Sequence, residues 1–121
     1  MPERPDFLIP YGASMSQALD FKLWRLIAVR SPAILTQSSD RLIFHGSDDG
    51  TNFYGIRTDA GGLYTVLGLS TTVAYWHTID RHEILAYRWL KIQVVTSDGS
   101  TPVVQGANRL FETIRLHAEG M

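Results

Sequence analysis

The sequence contains no cysteine, so neither disulfide staples nor thiolate zinc sites are available to hold the fold together. It also lacks an excess of either charge: 11 Lys and Arg stand against 12 Asp and Glu, for a formal net charge of -1. No global field draws such a chain to nucleic acid or to an anionic membrane, and neither partner is expected. Apolar runs are short, and none approaches the ~20 residues that span a bilayer as a helix. The leading "MPERPDFLIPYGASMS" has no apolar core of signal-peptide length, so a soluble, unprocessed chain is expected. Signatures of nucleophilic and phosphate chemistry are missing as well. Neither G-x-S-x-G nor G-x-x-x-x-G-K followed by Ser or Thr occurs, and no catalytic residue or cofactor is expected.

What is present begins with three prolines. Pro2, Pro5 and Pro10 fix local dihedrals and remove backbone donors, which favours an extended segment over a helix. Phe7, Leu8, Ile9 and Tyr11 are too apolar for an idle tail. Residues 1–20 are therefore expected to form an extended N-terminal arm, and residues 21–121 a single domain large enough to bury a core. The arm either covers the domain's own sheet edge or reaches a neighbouring subunit. In the second case deleting Met1 to Tyr11 leaves the domain folded.

From Leu23 onward the pattern has period two. "LWRLIAVR" sets Leu23, Arg25, Ile27 and Val29 against Trp24, Leu26, Ala28 and Arg30. "RLIFHGS" and "NFYGIRT" read as a hairpin around a polar break, followed by "LYTVL", "TVAYWHTI", "YRWLKIQVVTS" and "RLFETIRLHA". Short strands at such spacing predict an all-β, antiparallel β-sandwich. Within it, Leu90, Ile92 and Val94 face the core while Lys91 and Gln93 face water. In the last run Leu110, Ile114 and Leu116 share a face with Glu112. If that face is buried, Glu112 must sit near an edge, pair with a cation or face a subunit contact, because an unpaired buried carboxylate is costly. Arg25, Arg30, Arg88, Lys91, Arg109 and Arg115 all fall on strands, where they would blunt edges or outer faces.

The loop Ser47-Asp48-Asp49-Gly50-Thr51-Asn52 offers carboxylates to chemistry and a glycine to architecture. A calcium loop of EF-hand type needs alternating oxygen ligands and a distal bidentate Glu. Adjacent Asp48 and Asp49 diverge on an extended backbone, and no such Glu follows, so the segment reads as a hairpin turn. A small hydrolase would rest on Asp48, Asp49 and His45 alone. His77, Asp80, His82 and Glu83 cluster in "WHTIDRHE", but the two histidines have neither the spacing of two for a strand nor that of three or four for a helix. They read as a polar connection, and no metal is expected. Trp24, Trp76 and Trp89 sit beside apolar neighbours, which favours core or subunit contacts over ligand stacking.

Two resemblances bear on function. "LIFHGSDDGTNFYGI" followed by "AYRWLKIQVV" resembles the paired signature of galactose-binding-like, discoidin-type β-sandwiches, implying a jelly roll. A longer stretch, from "ALDFKLWRLIAVRSPAILTQSSDRLIFHGSDDGTNFYGIRTDAGGLYTV" to "YRWLKIQVVTSDGSTPVVQGANRLFETIRL", is similar to small virion proteins of tailed bacteriophages. Asp20, Pro32, Phe44, Ser47, Asp49, Gly50, Phe53, Asp59, Gly61, Leu90, Lys91, Ser97, Pro102, Val103, Gln105 and Arg109 occupy the matching positions. "SDGST" replaces a shorter "SGT" turn, and the proline-rich leader lies outside the pattern.

That resemblance implies a non-enzymatic capsid decoration or cement protein, sited on the capsid surface and in the host cytoplasm during assembly. Its partners would be the major capsid protein and further copies of itself, trimers at local threefold positions among them. The interface is expected to use Phe7, Leu8, Ile9, Tyr11 and Trp76. The alternative is a carbohydrate-binding module on the virion surface or tail, with Tyr64, Tyr75 or Trp76 contacting a glycan.

Overall fold

The computed structural model describes residues 6–21, 24–32, 41–57, 64–66, 69, 73–79, 87–96 and 101–117. Regular structure among these is entirely β. The strands are β1 (Phe7–Ile9), β2 (Leu19–Asp20), β3 (Trp24–Ser31), β4 (Arg41–Ser47), β5 (Tyr54–Gly55), β6 (Thr65–Val66), β7 (Tyr75–Thr78), β8 (Trp89–Val95) and β9 (Arg109–His117). They pair antiparallel in two sheets, one ordered β1-β9-β3-β7 and the other β2-β8-β4-β5 with β6 also on β4. Phe7, Ile9, Leu26, Val29 and Phe111 of the first sheet join Leu42, Phe44, Leu90, Ile92 and Val94 of the second in one core. The expected antiparallel sandwich is the architecture observed.

Strand β8 follows its period: Leu90, Ile92 and Val94 are buried, and Lys91 and Gln93 are half-buried. In strand β9 the face carrying Glu112 is the outer one. Phe111 and Thr113 are buried, whereas Leu110 and Ile114 are exposed. Glu112 on that outer face pairs with Arg30, its register partner on β3. Leu110 and Ile114 therefore face away from the core, and the ion pair accounts for the carboxylate.

Strand β3 breaks its own alternation. Its register with β9 shifts between Leu26 and Ala28, so Leu26 and Val29 both face inward although an odd number of positions separates them. A bulge inserts the extra residue that makes this parity change. Arg109, expected on an outer face, is buried, and its Nε donates to Gln105 Oε1 at 3.2 Å.

Of the segment expected as an arm, residues 6–20 belong to the sandwich. β1 pairs with β9, β2 pairs with β8, and Met15 bridges to Gln93 between them. Gly12 N donates to Gln105 O, and Ser16 N to Ile92 O. Phe7 and Ile9 are 0% exposed, so the segment covers the domain's own edge, and these two side chains are core rather than interface.

Truncating such an aromatic side chain costs about 3–5 kcal/mol. Phe7→Ala is expected to lower the unfolding free energy by that amount in urea titration, with the slope unchanged. A loss below about 1 kcal/mol would mean that β1 is a detachable arm.

Candidate functional site

The Asp-Gly loop closes the β4–β5 hairpin through its own hydrogen bonds. Ser47 Oγ accepts from Asp49 N at 3.2 Å and Gly50 N at 3.0 Å, and donates to Asp49 Oδ1 at 2.8 Å. Asp49 Oδ1 also accepts from Thr51 N at 2.8 Å and Asn52 N at 2.9 Å, while Oδ2 accepts from Asn52 Nδ2 at 2.9 Å. The Asn52 and Thr51 amides, with the two side-chain bonds, hold the Asp49 carboxyl far below the usual carboxylate range. Gly50 has φ +76, and a Cβ there would lie 2.8 Å from the Trp89 ring. Both facts require glycine. Asp49 is thus an acceptor committed to the backbone, which suits neither proton transfer nor a metal.

A hollow of ≈ 420 Å³ lies beside this turn, bounded by residues 46–49 and by Asn52, Tyr54 and Tyr87. Of the hydrolase residues Asp48 and Asp49 line it and His45 does not. His45 Nε2 is 3.0 Å from Gln93 Oε1, whose amide nitrogen donates to Ser14 Oγ at 3.2 Å. Among the described residues no three His, Asp or Glu gather closely enough to hold a metal. Of the second cluster, His77 is half-buried with Nε2 3.1 Å from Ser31 Oγ. Burial pushes its imidazole pKa down. Asp80, His82 and Glu83 lie outside the described residues.

The remaining candidate is the outer face of the β1-β9-β3-β7 sheet. Leu8 is 36% exposed, Leu110 48%, Ile114 42% and Trp76 48%. The strand registers place them in rows: Leu8 opposite Leu110, Glu112 opposite Arg30, Arg30 opposite Trp76, and Ile114 opposite Ala28. The Arg30 guanidinium pairs with Glu112 and lies 5.8 Å from the Trp76 ring centroid. Four large apolar side chains therefore surround one neutral ion pair on one face, a composition of protein interfaces more than of solvated surfaces.

Of the five residues expected at an interface, Leu8 and Trp76 share this face, Tyr11 is exposed on the loop after β1, and Phe7 and Ile9 are buried. Leu110, Ile114 and Arg30 were not singled out for it. The signal available was Glu112, whose charge argues for an outward parity in β9. The other tryptophans are in the structure's fabric: Trp24 packs on the core beneath Arg115, and Trp89 lies on Gly50 beneath Arg88. Tyr64 stacks on Phe44 at 5.7 Å, which occupies a ring that a glycan would need.

Two outcomes follow for the polar residues. Asp49→Ala lowers the melting temperature while Asp48→Ala, on an exposed carboxylate, leaves it nearly unchanged; equal effects would contradict the clamp. The Asp49 contribution is complete above the ordinary carboxylate pKa of about 3.9 and is lost as pH falls below it. For His77 the folded pKa is depressed, so its contribution is complete above about 6.5 and declines as pH falls below that value. His77→Gln should flatten this limb of the stability profile, and an unaltered limb would contradict the assignment.

No family model and no curated protein matches this chain. Two solved structures of a family 89 glycoside hydrolase from Clostridium perfringens align with it, one in complex with its substrate GlcNAc-alpha-1,4-galactose and one with PUGNAc. Each gives a TM-score of 0.38 and 16% identity over 89% of this chain and 11% of that chain. A likeness of that extent assigns neither family nor activity.

Proposed function

We propose that this protein is a non-enzymatic structural component of a bacteriophage particle. In this reading it is a capsid decoration protein, a galactose-binding-like jelly roll that stabilises the shell by bridging neighbouring major capsid subunits. The observation that carries the reading is the exposed apolar face around Arg30 and Glu112, with Leu8, Leu110, Ile114 and Trp76 on it. The ordered similarity of Leu19 to Leu116 to tailed-phage virion proteins supports it. Burying apolar area repeatedly on a symmetric lattice turns weak single contacts into durable attachment, and such a role asks for no reactive centre.

A carbohydrate-binding reading has one observation in its favour: Tyr54, 71% exposed, stands at the rim of the turn hollow. Tyr75 and Trp76 do not add a single platform to it, because neighbouring residues of β7 point to opposite faces of the sheet.

The expected outcome is saturable co-sedimentation with assembled shells of the cognate capsid protein, and no signal on a glycan array. Failure to sediment with shells would contradict the proposal. Glycan binding abolished by Tyr54→Ala or Trp76→Ala would favour the second reading.

A further inference from the structure

From the outer face of the β1-β9-β3-β7 sheet we infer that its occupant is the same face of a second copy of this chain. The inference rests on the reading above in treating that face as an interface of the assembled particle; it assigns the face to contact between copies, which leaves contact with the capsid subunits to other surfaces of the chain. The residues either side of the β3–β9 seam carry the inference.

Across this seam the register sets Glu112 against Arg30 and Ile114 against Ala28. Two sheets packing face to face run nearly aligned, and a two-fold axis between them makes the contact isologous. An axis parallel to the strands and lying over the seam exchanges the β3 and β9 positions of each row. Glu112 of one copy then faces Arg30 of the other, twice over. In the next row Ile114 of one copy faces Ala28 of the other, a large side chain over a small one. Further out, the Trp76 ring of each copy is carried over the β1 side of its partner, where Leu8 is exposed. Charge and bulk are therefore both self-complementary about one axis. A partner of unrelated sequence would need an acid and a base placed in the reverse order to match them.

Size sets the strength. Four strands about 4.8 Å apart and about 15–20 Å long present roughly 300–400 Å² per copy, against about 800 Å² per partner in a standard interface. The dimer is accordingly a weak one that forms at the high local concentrations of a particle surface. Arg30 is held ready for it by Trp76 on one side and Glu112 on the other.

The test is sedimentation velocity of the full chain from about 10 µM to about 1 mM, which reads dissociation constants into the millimolar range. Wild type should show a reversible monomer–dimer equilibrium. Arg30→Glu sets two acids against two acids, and Glu112→Arg sets two bases against two bases, so each variant alone should associate at least tenfold more weakly. An equimolar mixture of the two restores both attractions and should form a heterodimer at least as readily as wild type. Circular dichroism confirms that each variant is folded. Should either charge variant unfold, Ala28→Trp serves in its place, since it fills the seat of Ile114 without touching the intramolecular pair and should also weaken association tenfold. A wild-type chain monomeric at about 1 mM, a mixture no stronger than its components, or an Ala28→Trp variant that dimerises normally would overturn the inference. A monomer that still sediments with shells would overturn it while leaving the attachment reading intact; a dimer that ignores shells would do the reverse.

Discussion

Strand β9 shares a ladder with β1 on one side and β3 on the other, and its side chains can point only two ways. With Phe111 and Thr113 turned into the core, Leu110, Glu112 and Ile114 must turn out. That parity decides what the rest of the sheet presents. It brings Glu112 beside Arg30, leaves Leu8 on the outer side of β1 while Phe7 and Ile9 close the core, and sets Trp76 at the far flank. A slip of one residue would reverse every one of these assignments. Burial of Phe7, Ile9 and Phe111 is what makes such a slip expensive.

The second sheet shows the opposite economy of polar groups. Its hairpin turn spends the Asp49 carboxylate on two backbone amides and two side chains, and places Gly50 flat against Trp89. A carboxylate so engaged fixes the register of β4 with β5 and is withdrawn from chemistry. The charged pair on the outer sheet differs in being half-exposed and balanced, which leaves it available for contacts outside the chain. An exposed ion pair adds little stability by itself; its position among apolar neighbours is what gives it meaning.

How much of this was legible depended on local contrast. In β8, apolar and polar residues alternate cleanly, so its burial could be read directly, and Asp-Gly between two strands announced the turn. In β1 all three residues are apolar, which conceals which of them face the core. In β9 the more apolar of the two faces is the outer one, so hydrophobicity pointed the wrong way and only Glu112 pointed the right one. Two further features have no local signal at all. The bulge in β3 shifts parity without a glycine or proline to mark it, and the Arg30–Glu112 pair joins residues 82 apart through long-range sheet pairing. The candidate interface was therefore visible only at Leu8 and Trp76 until the strands were paired.

The outer face of the β1-β9-β3-β7 sheet is the surface that assembly would cover. Hydroxyl-radical footprinting of the chain free in dilute solution and bound on shells measures this directly. Several-fold protection of Trp76, Leu110 and Ile114 on the particle, with Tyr54 reacting as before, is the predicted result. Equal reactivity of Trp76 and Ile114 in the two states would contradict it.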